Sequence, residues 1–103
     1  MYVFAQHGIL SIVAHRSRPG ALMVRSPTRK DLAQFWPRAK VIKMDDADYR
    51  FRIVLPRDEV AERIAQAVQA IDYDRVKPSV GKGRQHTYFQ LWDTMMALQD
   101  ATQ

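Results

Sequence analysis

The residues best suited to chemistry in this chain are its cations. The sequence carries 16 Lys and Arg against 11 Asp and Glu, which gives a formal net charge of +5 at pH 7. Guanidinium groups bind phosphate and carboxylate groups through paired hydrogen bonds, so an excess of arginine and lysine favours a polyanionic partner. The same charge also keeps a small protein soluble, and that simpler interpretation stays open beside the first.

Two groups of basic residues are distinguished by their spacing. Arg50 and Arg52 alternate with apolar residues, which on a β-strand places the arginines on one face and the apolar side chains on the other. The segment 75–84 is basic, lacks acidic residues, and contains two glycines whose backbone N–H groups could approach a phosphate. The candidate phosphate- or carboxylate-binding residues are Arg25, Lys43, Arg50, Arg52, Lys77, Lys82 and Arg84.

An aromatic group near the end of the sequence favours a different kind of partner. Tyr88, Phe89, Trp92 and Met96 belong to a predicted helix, and aromatic residues and Met are enriched at protein interfaces. These four residues are therefore the candidate surface for a protein partner or for a homodimer.

Catalytic and metal-binding patterns are weak in this sequence. It has no cysteine, and His7, His15 and His86 lack companions at metal-ligand spacing. Asp45 and Asp46 lie next to basic residues and could serve a metal-dependent nuclease or hydrolase, but aspartates are also the usual residents of turns. We therefore expect a non-enzymatic protein with no catalytic residue, metal or cofactor, and a metal-dependent nuclease is the third hypothesis.

The pattern of apolar residues predicts the elements that position these groups. A turn at 18–21 joins the first two strands, and the segment 72–84 is predicted to be irregular. The order ββαββαα favours an α+β fold, an antiparallel sheet of two hairpins covered on one face by helices, for which a permuted ferredoxin-like arrangement is one topology. The length predicts one compact domain over residues 1–103. The predicted strands are 9–15, 21–25, 40–44 and 49–55, and the predicted helices begin at Thr28, after Pro56 and near Gln85.

Helices on one face would leave a basic face on the other. The alternation along 49–55 places its apolar residues, Tyr49 included, beneath the helices and its two arginines on the uncovered face. Arg25 and Lys43 from other strands are expected to join them. Because Phe51 would be buried, bases could not stack on this strand, and only contacts to the nucleic-acid backbone are expected from it.

The sequence also indicates where the protein acts. The apolar stretch 1–5 lacks the basic segment with which a signal peptide begins. It is also far shorter than the roughly 20 apolar residues of a membrane span. We therefore expect no membrane association, and the absence of cysteine fits a cytoplasmic setting. The expected partner is nucleic acid or an acidic protein.

The chain carries several short motifs: His7-Gly8, Ala47–Val54, Ile71-Asp72-Tyr73, Lys77, His86-x-Tyr88 and Trp92. Together these motifs resemble a group of short bacterial and phage-associated proteins. The resemblance implies a compact α+β domain in a cytoplasmic setting and brings no activity or catalytic residue with it. Its phage setting adds a second hypothesis, an inhibitor that blocks a host complex with the C-terminal helix. The chain departs from the group at Phe51, where Tyr is expected, and at Val76, where Phe is expected.

Overall fold

An antiparallel sheet and four helices make up the fold. In the computed structural model, which describes residues 1–102, every neighbouring pair of strands is antiparallel, and the strand order is β1-β2-β3-β5-β4. The predicted α+β fold is therefore confirmed. The strands are β1 (Tyr2–Ala5), β2 (Gly8–Ala14), β3 (Ala21–Ser26), β4 (Ile42–Lys43) and β5 (Phe51–Pro56), and the helices are α1 (Arg29–Phe35), α2 (Arg57–Gln69), α3 (Val76–Ser79) and α4 (Lys82–Ala101).

The four strands that the sequence predicted follow the permuted ferredoxin-like order. The first predicted strand is β2. The pairs β2–β3, β3–β5 and β5–β4 are those expected when β2 takes the place of the last strand of a ferredoxin-like fold. The sequence did not predict β1, which pairs with β2 through a turn at Gln6 and His7 and extends the sheet. All four residues of β1 are apolar or aromatic, so no alternation of polar and apolar residues marks it as a strand.

The chain divides into two compact units. The first is Met1–Asp72 and contains the sheet with α1 and α2, and the second begins at Tyr73 and contains α3 and α4. Most of the predicted irregular segment is therefore helical in the second unit. Helix α4 begins at Lys82, earlier than the predicted start near Gln85. Its N-cap is Gly81 in an extended conformation, and glycine is tolerated at that position. The expectation of a single domain stays a prediction.

The core of the first unit lies between one face of the sheet and the helices α1 and α2. Its strand residues come from one face of β2, β3 and β5, which confirms that helices cover one side of the sheet. Burial of each large aliphatic side chain stabilises the fold by about 1.5–3 kcal/mol relative to exposure. The buried cluster consists of Leu10, Ile12, Val24, Leu32, Phe35, Trp36, Ile53 and Val60.

A buried aspartate fixes α1 to the start of β2. Thr28 caps the helix by accepting a hydrogen bond from Asp31 N at 3.2 Å, as the sequence predicted. The Asp31 side chain accepts a hydrogen bond from Ile9 N through Oδ2 at 2.9 Å. Gly8 has a φ of 149°, and a Cβ added there would lie 2.6 Å from Asp31 Cγ. The close approach of α1 to β2 therefore requires glycine at position 8.

The substitution Gly8→Ala is expected to lower the free energy of unfolding by about 1–3 kcal/mol or more, because it adds a steric clash to backbone strain. Gly20→Ala is the matched control, since Gly20 has a φ of 80° but no atom within 4 Å of an added Cβ. Urea denaturation of both variants measures the difference. Equal losses would show that the Asp31 contact does not restrict position 8.

Candidate functional site

The strand register places one row of side chains across the uncovered face of the sheet. Directly opposite residues of antiparallel strands point to the same face. The buried residues of β2, β3 and β5 lie one position away along each strand, so this row lies on the side away from α1 and α2. The row runs through Tyr2, Ser11, Arg25, Arg52 and Ile42.

Arg25 lies at the centre of a cluster on this face. Its Nη2 donates to Ser11 Oγ at 2.7 Å, and its guanidinium carbon lies 4.8 Å from the centroid of the Tyr49 ring. The Tyr49 hydroxyl donates in turn to the Tyr2 hydroxyl at 3.0 Å. Within residues 1–102, no carboxylate pairs with Arg25, and its buried Nε has no hydrogen-bond partner. The positive charge of Arg25 is therefore not neutralised within the described part of the chain.

Arg52 lies beside Arg25 and holds the turn before β5. Its Nη2 donates to Asp48 Oδ1 at 3.1 Å, and its Nε donates to the Tyr49 carbonyl at 3.3 Å. Asp48 Oδ1 also accepts from Tyr49 N at 2.8 Å. The Asp48 side chain is 71% exposed, so its attraction for Arg52 is strongly screened by water. Arg52 thus helps to position Tyr49 over Arg25 while its own carboxylate partner remains in solvent.

A groove of about 550 Å³ opens beside these arginines, and none of the residues that line it is acidic. His15 Nδ1 accepts hydrogen bonds from Ser17 N and Arg18 N, both at 3.1 Å, and these bonds order the loop that carries Arg16. The groove therefore combines three arginines with apolar side chains. Its walls include Val13, His15, Arg16, Met23, Arg25 and Arg52.

Two predicted members of the basic face lie elsewhere. Lys43 is opposite Phe51 in the register, so it lies on the helix-covered side of β4, and its predicted place beside Arg52 is wrong. Arg50 lies before the start of β5, so it is not part of the row across the sheet. Its Nε lies 3.6 Å from Asp45 Oδ1, and Lys43 Nζ lies 3.5 Å from the same oxygen. The sequence did not reveal this arrangement because the pairing of β4 with β5 depends on the geometry of their turn.

The uncovered face presents more aromatic surface than the sequence predicted. Because β5 begins at Phe51, the alternation does not extend to Tyr49, and its predicted burial beneath the helices is wrong. Phe51 itself packs against the core as predicted. Tyr2 and Phe4 of β1 also lie on the uncovered face, since Val3 and Ala5 between and after them pack against the core. Their i,i+2 spacing is the sequence signal that could have identified them.

Basic and aromatic candidates of the second unit contact each other. Lys77 Nζ lies 4.2 Å from the centroid of the Trp92 ring and 5.4 Å from that of Phe89, both within the range of cation–π attraction. A groove of about 420 Å³ beside them is lined in part by Arg75 and His86. Two candidate sites that the sequence treated separately therefore share one surface.

The remaining candidates of the second unit divide between exposed and buried positions. Lys82 and Arg84 lie in the first turn of α4 rather than in a loop. Tyr88 is only 2% exposed, so it is not accessible to a partner in this conformation. Met96 is half-buried. The large apolar side chains of α4 that do face solvent are Phe89, Trp92, Met95 and Leu98, with exposures of 50%, 40%, 50% and 66%.

Residues considered for catalysis are not assembled into a site. His7 precedes β2 and His15 follows it, so the two imidazoles lie at opposite ends of a strand about 24 Å long. Within residues 1–102, no three His, Cys, Asp or Glu side chains form a group that could hold a metal ion. Asp45 lies within salt-bridge distance of Lys43 and Arg50. No helix in the same range is both long enough and apolar enough to cross a membrane.

Comparison with known proteins identifies no relative. No family model, curated protein or solved structure matches this chain. The resemblance to short bacterial and phage-associated proteins stays a prediction. The uncovered sheet face and the exposed side of α4 are therefore the observations on which a function can rest.

The hydrogen bond between two tyrosines has a consequence for titration. Donation to Tyr2 raises the pKa of Tyr49 above its ordinary value of 10.0, partial burial raises it further, and the charge of Arg25 opposes the rise. Because the folded pKa exceeds the unfolded one, this contribution to stability is complete below about pH 10. It is lost as the pH rises through the folded pKa.

Replacement of the acceptor tests this arrangement. Tyr2→Phe is expected to lower the pKa of Tyr49 toward its ordinary value, as measured by ultraviolet difference titration of tyrosinate absorbance. Tyr73→Phe is the control, because it removes a tyrosine from the second unit and leaves the pair intact. A Tyr49 pKa that is the same with and without the Tyr2 hydroxyl would rule out the hydrogen bond as its main cause.

Proposed function

We propose that this chain is a non-enzymatic binding protein whose uncovered sheet face contacts the phosphate groups of nucleic acid. The observation that carries the proposal is the adjacency of Arg25 and Arg52, which are directly paired in the β3–β5 register and line one groove together with Arg16. Guanidinium groups bind phosphate through two parallel hydrogen bonds and are weakly hydrated, so they suit this contact.

The electrostatics of the groove support an anionic ligand. Arg25 has no carboxylate partner within residues 1–102, so a phosphate would not have to displace one. The Asp48 side chain is 71% exposed and the Arg52 side chain is 16% exposed, so water screens the pair from the Asp48 side, and a phosphate would compete with Asp48 for the accessible part of the guanidinium. Lys77, Lys82 and Arg84 belong to the second unit and are separate, secondary candidates for phosphate contact.

Salt dependence tests the proposal directly. Labelled single-stranded and duplex DNA and RNA would be titrated with the protein at low and near-physiological salt, with fluorescence anisotropy as the readout. The logarithm of the binding constant should fall linearly with the logarithm of salt concentration. Combined Arg25→Gln and Arg52→Gln substitutions should weaken binding and reduce that slope by about 1 for each arginine.

The matched control changes the same net charge at another place. Lys30→Gln with Arg57→Gln removes two exposed cations from the first turns of α1 and α2, the helices that cover the opposite sheet face. An equal effect from both pairs would mean that net charge, and not this face, controls binding. Absence of binding to every nucleic acid even at low salt would disprove the proposal.

A second candidate function rests on the exposed side of α4. Phe89, Trp92, Met95 and Leu98 expose apolar area that water solvates poorly, and such residues commonly anchor protein interfaces. The candidate is a protein–protein interaction module, including an inhibitor of a larger complex. A homodimer is its simplest form. Such an association would depend little on salt, unlike phosphate binding.

A concentration series in sedimentation velocity tests the homodimer. If α4 mediates self-association, Phe89→Ala with Trp92→Ala should raise the dissociation constant at least about tenfold, since central aromatic residues dominate interface energies. Gln90→Ala with Gln99→Ala is the control, because these exposed polar residues belong to the same helix. A protein that remains monomeric at every concentration would exclude the homodimer.

A further inference from the structure

Two aromatic rings of β1 form a platform at the edge of the uncovered face. The Tyr2 and Phe4 rings are nearly parallel, with an interplanar angle of 7° and centroids 6.1 Å apart. Tyr2 is 60% exposed and Phe4 is 39% exposed. A pair of parallel rings in this range attract one another by offset stacking while parts of both rings remain open to solvent.

The platform is joined to the arginines by the same contacts that order Arg25. Tyr2 accepts the hydrogen bond of Tyr49, and the Tyr49 ring lies over the Arg25 guanidinium. Ser11, which is directly opposite Tyr2 in the register, accepts the hydrogen bond of Arg25. Tyr2 and Arg25 are therefore two strand spacings apart, about 10 Å. The aromatic rings of β1 are therefore linked to the adjacent pair Arg25 and Arg52 through Tyr49 and Ser11.

We infer that the nucleic acid bound by this face is single-stranded, with its bases stacked on Tyr2 and Phe4 and its phosphates held by Arg25 and Arg52. This inference rests on the proposed function and adds the class of ligand. Surfaces that bind single strands combine cations that follow the backbone with aromatic rings on which bases stack. The uncovered face has both components. The rings belong to β1, which is adjacent to β2, the strand that carries Ser11.

The platform discriminates against duplex ligands for a physical reason. In a duplex each base is already stacked on its neighbours, and withdrawing one costs a few kcal/mol. Phosphate contacts alone would favour the duplex, because it carries twice the charge per unit length of a single strand. A preference for the single strand would therefore have to come from stacking.

The first arm of the test uses the unaltered protein. A labelled single-stranded oligodeoxynucleotide, its duplex and an abasic strand of the same length would be compared at one salt concentration by fluorescence anisotropy. We expect the single strand to bind about tenfold more tightly than both the duplex and the abasic strand. Binding of all three with equal affinity, or tighter binding of the duplex, would overturn the inference and leave the phosphate-binding proposal intact. Failure of all three to bind, together with failure of single-stranded and duplex RNA to bind at low salt, would disprove both.

The second arm assigns the stacking to the platform. Tyr2→Leu with Phe4→Leu keeps apolar side chains on β1 but removes the rings, and it should weaken single-strand binding at least about tenfold. The binding of the abasic strand should weaken much less, because Ser11 still accepts the hydrogen bond of Arg25 when the Tyr2 hydroxyl is lost. Val68→Ala with Ile71→Ala, at exposed apolar positions of the first unit outside this face, is the control and should bind like the unaltered protein. If the two leucine substitutions leave single-strand affinity unchanged, Tyr2 and Phe4 are not the platform. Far-ultraviolet circular dichroism confirms folding, and the abasic comparison remains decisive if that variant does not fold.

Discussion

The burial of one sheet face beneath α1 and α2 determines what the other face presents to solvent. Leu10, Val24 and Ile53 are at most 1% exposed, and their neighbours along each strand must point away from them. A shift of one residue in the pairing of β3 or β5 would expose the core and bury Arg25 or Arg52 among apolar side chains. The hydrophobic core and the basic row are therefore two consequences of one register.

The same register depends on a close contact at the start of β2. Asp31 accepts a hydrogen bond from Ile9 N, and this contact brings α1 so near to the strand that only glycine fits at position 8. Gly8 also ends the turn that returns the chain from β1, so the contact that positions a helix on one face also positions Tyr2 and Phe4 on the other. A substitution at Gly8 should accordingly affect both the stability and the binding surface.

The two exposed surfaces differ in their chemistry. On the uncovered face, Arg25 is held between Ser11 and the Tyr49 ring, so its position is largely set before a ligand arrives, and little side-chain entropy is lost on binding. On α4, four large apolar side chains face solvent, and Lys77 lies against one of them, Trp92. The first surface suits phosphates and bases, and the second suits an apolar protein surface. The expected difference in salt dependence would separate the two proposed functions experimentally.

Local patterns in the sequence determined much of the fold. The alternation along β5, the cap formed by Thr28 and the turn at Gly20 depend on neighbours in the chain, and all three agree with the structure. Tertiary structure alone decided that the two predicted hairpins join through β3 and β5, and with it the pairing of Arg25 with Arg52 and the positions of Lys43 and Tyr49. It also decided that β1 joins the sheet and adds two aromatic rings to the candidate site. These features depend on hydrogen bonds and packing between residues far apart in the chain, which the spacing of residues within one segment does not specify.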